Sequence, residues 1–324
     1  MFKLTVNTLA AAAVAMICTG AAQAETKILV GLTAGGGYDF AARLMAPFLE
    51  KHLGEGETVI VQNVPGASSL NLARQMQVSE ADDEIGLVLA SQIVKARLDP
   101  ETVAVDFSSF NWVGSLNSAT SVCITSKASG IDTLDKMVTA DAKIGATSKA
   151  GAFYELAAII KGAFDAKYEI ITGFKGLTDI EAAIERGEID GYCGTQLDRY
   201  VRNNQQETHF VIGSLGKDVE VDGTTIPSFM SQAKTEEDKA AIALYATSDR
   251  VYYPFLIAPG ASEEAVKKYQ DAFAAVIEDP EFLEEAASYY SSIDAMNGPA
   301  LAEQIQAVAD ADASTVEHLT DMLQ

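Results

Sequence analysis

The stretch that most constrains the fold is Thr33-Ala34-Gly35-Gly36-Gly37-Tyr38-Asp39-Phe40. It follows an apolar run, Ile28-Leu29-Val30-Gly31-Leu32, that predicts a buried strand. It precedes residues 41–53, whose spacing puts Phe40, Leu44 and Phe48 on one helix face. A strand, three glycines and a helix start form an anion site on physical grounds. Glycine lets a ligand come close to the backbone. The first helical turn points unpaired N–H groups outward. A tight strand-to-helix turn with nothing bound explains the same residues, and on this stretch alone both readings stay open.

The pattern then repeats. Val59-Ile60-Val61-Gln62-Asn63 predicts a second strand, which runs into Val64-Pro65-Gly66-Ala67-Ser68-Ser69, a loop of turn formers and hydroxyls. A helix over 70–77 and a strand over 85–90 follow. Strand, helix, strand, helix, strand makes a parallel sheet with crossover helices. Both special loops follow the carboxyl ends of strands, where open α/β sheets bind ligands.

The second half has the same architecture without repeating the residues. Strands are predicted over 110–114, 121–125, 143–147, 168–172, 188–193 and 209–213. Ser148-Lys149-Ala150-Gly151-Ala152 is a small-residue loop into a helix over 153–163. Thr178 and Glu181 read as a capping box, with Gly187 ending that helix. An extended run over 251–257 leads to a helix over 263–278, with Ser262 as cap and Glu263 and Glu264 at its positive end. Helices over 281–290 and 298–323 finish the chain. Pro47 is expected to kink or shorten the first helix.

The chain has 324 residues, 48% of them hydrophobic, and no low-complexity spacer, which suits two globular lobes better than one. Met1-Phe2-Lys3, an apolar run from Leu9 to Ile17, and Ala22-Gln23-Ala24 describe a secretory signal peptide cut after Ala24. The run is too short for a membrane span. Cys18 follows Met16 and Ile17, where a lipoprotein signal needs small residues. The expected product is soluble and periplasmic. Loss of Lys3 with the signal takes the formal charge from -23 to -24. Such a surface repels nucleic acid and anionic lipid, so an anion site must rely on local dipoles. Cys123 and Cys193 remain after cleavage, both in strand-like segments. A disulfide and two buried thiols are both open readings.

Catalytic signatures are missing. Phe40 stands where a dinucleotide loop needs its third glycine, and the second strand ends in Gln62-Asn63 rather than an acid. There is no Gly-Lys-Ser/Thr loop and no Gly-x-Ser-x-Gly elbow. His52, His209 and His318 are isolated, with no second metal ligand at helical spacing. The glycines, hydroxyls and helix starts point to binding without chemistry, with no cofactor and no metal.

Several segments resemble the extracytoplasmic receptors of tripartite tricarboxylate transporters, the Bug-type receptors. Gly35-Gly36-Gly37-Tyr38-Asp39 with Arg43 is similar to that family's Gly-Gly-Gly-Thr-Asp…Arg. Asn63-Val64-Pro65-Gly66-Ala67 is similar to its Asn-x-Pro-Gly-Ala. Gly173-Phe174-Lys175-Gly176, Glu185 to Gly191, Ile226-Pro227-Ser228-Phe229 and Ile257-Ala258-Pro259-Gly260 resemble later family segments.

The resemblance implies a type II periplasmic-binding-protein fold, two α/β lobes with a ligand cleft between them. Lobe 1 would hold residues 25–121 and 250–324, and lobe 2 residues 122–249. It implies a monomer that captures a small carboxylate and delivers it to a membrane permease, with no nucleic-acid partner. The implied first-lobe contacts are Ala34, Gly36, Gly37, Tyr38 and Asp39, with Pro65, Gly66, Ala67, Ser68 and Ser69. The second lobe would add Ser148, Gly151, Ala152, Thr195 and Asp198. Asp39 would hold the loop, since a carboxylate repels a carboxylate. The resemblance also puts Cys123 and Cys193 on neighbouring strands, close enough to bridge. Tyr38 replaces a usual threonine and Ser68-Ser69 a usual glycine pair, which turns the expectation away from citrate-like ligands. A secreted enzyme or ligand-sensing module on the same fold is the alternative.

Overall fold

The computed structural model describes residues 24–149, 151–290 and 293–324. The expected signal peptide lies outside the described residues except for Ala24, which opens the first strand, and Cys18 lies outside them too.

In the first part of the chain, β1 (Ala24–Val30), α1 (Gly37–Leu53), β2 (Glu57–Asn63), α2 (Leu70–Gln77), β3 (Glu84–Leu87), α3 (Ser91–Leu98), α4 (Pro100–Val103) and β4 (Asn111–Asn117) follow in order. Then come β5 (Ser121–Ser126), α5 (Leu134–Thr139), β6 (Lys143–Gly145), α6 (Ala152–Ala163), β7 (Glu169–Ile171), α7 (Leu177–Glu185), β8 (Gly191–Gln196), α8 (Leu197–Arg202) and β9 (His209–Ser214). The last part holds β10 (Val219–Val221), β11 (Thr224–Ile226), α9 (Phe229–Gln232), α10 (Glu236–Arg250), β12 (Tyr252–Ile257), α11 (Glu263–Glu278), α12 (Pro280–Ala286), β13 (Met296–Asn297), α13 (Gly298–Ala309) and α14 (Ala313–Met322).

Two sheets organise these elements, with strand orders β13-β4-β12-β3-β1-β2 and β7-β6-β8-β5-β9, so the expected two-lobed α/β architecture is the one observed. In the first sheet β1 runs parallel to both neighbours, with Ile28 opposite Val61 and Ile85. Ile28, Leu29 and Val30 are buried on both faces, as a continuous apolar run requires. β12 returns antiparallel between β3 and β4. In the second sheet β5 is antiparallel to β8 and β9, and Cys123 lies opposite Cys193. The two cysteines are disulfide-bonded.

The chain crosses between sheets after β4 and returns before β12, and the two crossings are tied together. Asp249 accepts from Ser121 N (2.7 Å) and Ser121 Oγ (2.9 Å), while its own carbonyl accepts from Ala119 N (2.7 Å). α13 packs on β4, α3 and α10, and α14 packs on α10, α6 and α3.

Several local expectations are corrected. α1 begins at Gly37 and runs through Pro47 to Leu53. Pro47 is exposed, and buried Met45, Ala46, Phe48 and Leu49 hold the helix across the lost hydrogen bond. Thr178 is not a cap: α7 starts at Leu177 with Gly176 as its cap residue, and Glu181 instead accepts from Gln205 Nε2 at 2.9 Å. The helix expected over 298–323 is two helices, broken at Asp310 to Asp312.

Candidate functional site

A cavity of about 390 Å³ lies between the lobes. Tyr38, Ser68 and residues of α3 wall it from the first lobe, and residues of α6, β8 and α8 from the second. Tyr245, Ser248, Asp249 and Tyr252, at the second crossing, close it.

Helix starts converge on this space. Ala90, Gly151 and Gln196 are the N-cap residues of α3, α6 and α8; all three line the cavity, and none caps its helix with a side chain. In α3 the N–H groups of Gln92 and Ile93 donate to the carbonyls of Leu89 and Ala90, and in α8 that of Leu197 donates to Thr120; the remaining first-turn N–H groups and the positive helix ends lie at the cavity. Leu177, the first residue of the equally uncapped α7, lines it as well.

Further donors are unspent. Thr195 Oγ1 and Arg199 Nε are buried and make no hydrogen bond among the described residues. Arg199 reaches Glu181 through its terminal nitrogen at 3.4 Å. That contact is an ion pair, whereas Lys95, from α3, forms none among the described residues. A buried donor left without an acceptor costs about 1–3 kcal/mol, which a ligand oxygen relieves.

The acids of the cavity are occupied. Glu155 accepts from Tyr245 Oη at 2.9 Å, and Asp249 is held by Ser121. Burial pushes the Asp249 carboxyl above its usual range, against the opposing pull of the Ser121 donors. Burial likewise raises the Tyr38, Tyr245 and Tyr252 hydroxyls, so all three stay protonated donors.

No protein-family model matches the chain, and no curated protein sequence does. Solved structures do match. A TctC solute-binding protein from Polaromonas aligns over 92% of this chain and 97% of its own, with 14% identity and a TM-score of 0.67. The periplasmic binding protein BugD aligns over 93% and 98%, with 15% identity and a TM-score of 0.64. MatC from Rhodopseudomonas palustris, solved with bound malate, aligns over 93% and 99%, with 14% identity and a TM-score of 0.63. This chain has the fold of the TctC and BugD solute-binding proteins.

Within this TctC-type fold, Tyr38, Ser68, Gly151, Ala152 and Thr195 come together around the cavity. Other sequence-chosen residues do structural work instead. Asp39 is buried, accepts from Gly35 N at 2.9 Å and pairs with Arg43 at 2.9 Å. The Arg43 guanidinium holds its carboxyl down at about 2. Ser69 is fully buried, and its Oγ accepts from Leu89 N at 2.9 Å. A Cβ on Gly66 would stand 2.2 Å from Asn71 Nδ2, so Gly66 is a packing glycine.

Ala34, Gly36, Pro65 and Ala67 are exposed and outside the cavity lining, as are Gly37 and Ser148. A Cβ on Gly37 would meet Tyr253 Oη at 3.0 Å. Asp198 lines a neighbouring cavity. Ala67, Ser68 and Ser69 all have positive φ, a strained run that presents Ser68 to the cleft.

Sequence reasoning missed Lys95, Arg199, Tyr245 and Asp249. They sit on α3, α8 and α10, helices that the apolar periodicity did not reveal. A signal existed for α10: Thr235 followed three residues later by Asp238, which the structure shows as its N-terminal cap.

Proposed function

We propose that this protein is a periplasmic solute receptor, not an enzyme, that binds one small organic acid between its lobes as a monomer. The uncommitted donors of the cleft carry this reading: Thr195 Oγ1, Arg199 Nε and the uncapped starts of α3, α6 and α8 all meet one cavity. A carboxylate takes their hydrogen bonds. Each charge-assisted bond is worth about 1.5–3 kcal/mol. The formal charge of -23 opposes an anion at long range, but salt screens that field beyond about 10 Å. Malate in MatC, on the same fold, supports an acid of this size. Contacts to both lobes favour a closed state, and a closed receptor presents a joined surface to a permease of the tripartite tricarboxylate type. The export signal read in the sequence fits the compartment.

Calorimetry with a panel of acids including malate tests the reading. One acid per chain should bind and be recovered chemically unchanged. Arg199→Ala should weaken that acid about 10–100-fold, the loss of one charge-assisted partner. Consumption of the acid, or full affinity in Arg199→Ala, would remove the proposal.

A further inference from the structure

Besides the crossings, the lobes meet at the far end of α8. Its last residue, Arg202, donates from Nη1 to the carbonyl of Tyr289 at 2.5 Å. Tyr289 belongs to the first lobe. It stands in the turn after α12, a helix packed on α1 and α11, and the N–H groups of Tyr289 and Tyr290 both donate to the Ala286 carbonyl. Carbonyls at a helix C-terminus lack helical partners and carry partial negative charge. A guanidinium suits such an acceptor, and a bond from a charged donor is the stronger kind. Arg202 and Tyr290 also line a second cavity, of about 360 Å³, which shares Gln196 and Tyr252 with the first. The contact therefore closes the same opening between the lobes that contains the ligand cavity.

Both sides of this contact lead back to the ligand cavity. In the first lobe the path is a row of rings. Tyr289 packs on Phe40 of α1 at 4.3 Å between centroids, Tyr290 on Tyr253 at 6.1 Å, and Tyr253 on Tyr38 at 4.8 Å. Tyr38 walls the cavity. In the second lobe the path is α8 itself. Arg199, which lines the cavity with its Nε unbonded, precedes Arg202 by three residues, less than one helical turn. A group that fixes Arg199 also fixes the helix that carries Arg202.

We propose that Arg202 and the Tyr289 carbonyl form a latch that holds the lobes closed, and that its opening sets the rate of ligand release. Opening about the crossings parts α8 from the turn after α12, while the bonds of Asp249 to Ser121 stay in place at the crossing itself. Arg202 is exposed, so water competes for both partners and the bond is weak. That suits a contact broken in every cycle of capture and release. A ligand held by Arg199 steadies α8 and shifts the population toward the latched state. The latch needs only the two-lobed fold; its effect on release rests on the proposed receptor function.

Spin labels on Val78→Cys in the first lobe and Asp135→Cys in the second, both exposed positions, report the distance between lobes in the whole protein without ligand. Arg202→Ala should broaden the distance distribution and add longer distances. Arg202→Lys keeps a charged donor and should restore it, and Tyr289→Phe keeps both the ring and the carbonyl and should match the wild type. Both substituted side chains are exposed, so melting temperatures should not change. In stopped-flow experiments malate should leave Arg202→Ala about fivefold faster with its association rate unchanged, the yield of one exposed charged bond. A wild-type distance distribution in Arg202→Ala would overturn the latch, and this measurement decides it whether or not the receptor reading stands. A broadening that Arg202→Lys fails to restore, or one accompanied by a lowered melting temperature, would show a packing role and overturn it too. Equal malate release from Arg202→Ala and wild type would overturn the control of release while leaving the receptor reading intact.

Discussion

Helix starts in this protein fall into two groups. Among the described residues, seven helices begin with a side chain folded back onto the first turn, from Asp99, Thr133, Ser228, Thr235, Ser262, Asp279 and Asn297. None of these cap residues lines the inter-lobe cavity. α3, α6 and α8, whose cap residues do line it, begin on Ala90, Gly151 and Gln196 with no such bond. α1, α2, α7 and α14 are uncapped as well, and their cap residues Gly36, Ser69, Gly176 and Asp312 do not line the cavity, so a missing cap is necessary but not sufficient to mark the cleft. A side-chain cap is worth about 1 kcal/mol, so leaving it out wherever a helix points at the cleft costs stability and preserves donors. The contrast teaches that the cleft is marked less by what its residues are than by which backbone groups they leave unbonded.

Carboxylates follow the same division. Away from the cavity, donors surround them and hold them ionised: Arg43 lowers Asp39, and Ser228 N–H with Ser231 lowers Asp218. At the cavity, burial outweighs the donors and raises Asp249.

The largest expected effect comes from the disulfide, because it anchors a cleft-facing start that has no cap of its own. Cys193 lies in β8, which delivers Thr195 and Gln196 to the cavity and leads directly into α8. Cys123→Ala with Cys193→Ala should cost about 2–4 kcal/mol of unfolding free energy in urea. It should also weaken acid binding, whereas an equally destabilising change beneath α11 should not. Undiminished affinity in the cysteine-free protein would show that the start of α8 needs no anchor.

The middle effect exchanges the two kinds of start. Gln196 has extended backbone angles suited to a cap residue. Gln196→Asp should cap α8, add up to about 1 kcal/mol of stability and place a carboxylate in the cavity. Affinity for an acid should fall about tenfold or more. Ser262→Ala does the reverse outside the cleft: it removes the bond to Ala265 N, should cost about 1 kcal/mol, and should leave affinity unchanged. If both substitutions changed affinity alike, the division between the two groups would have no functional meaning.

How much of this was legible in the sequence depended on which way a segment faces. β1, α2 and α11 face apolar cores and were read closely, with Ser262 as the cap. The Cys123–Cys193 pairing became readable once the resemblance put the two on neighbouring strands. α8 has six residues, too few to show a period. The buried side of α10 includes Ala241, Ala246, Ser248 and Asp238, small or polar residues that weaken an apolar stripe. Its Tyr245 and Asp249 look into the cleft instead. The site was therefore half hidden for a physical reason. Residues kept for a ligand do not follow the hydrophobic pattern that reveals helices. The glycine loop was conspicuous because its glycines answer local demands, among them the contact of Gly37 with Tyr253.

The smallest effect concerns Asp249 and separates the two classes of carboxylate by pH. Its folded pKa is raised by burial above the unfolded value. Between those two values the folded state binds more protons than the unfolded state, so its contribution to stability falls as pH rises through the window. Asp39 has the opposite sign: with a folded pKa of about 2, its contribution is present above the unfolded carboxylate range and is lost as pH drops toward 2. Asp249→Asn keeps an acceptor for Ser121 N and an amide donor for Ser121 Oγ, and removes the charge. Urea unfolding at several pH values should show the variant gaining on the wild type as pH rises from the acid range to neutrality. Asp39→Asn should show the wild type gaining instead, because Arg43 then loses its ion pair. The same sign for both would mean that the cavity does not desolvate Asp249, and the contrast between cleft and periphery would then rest on the helix starts alone.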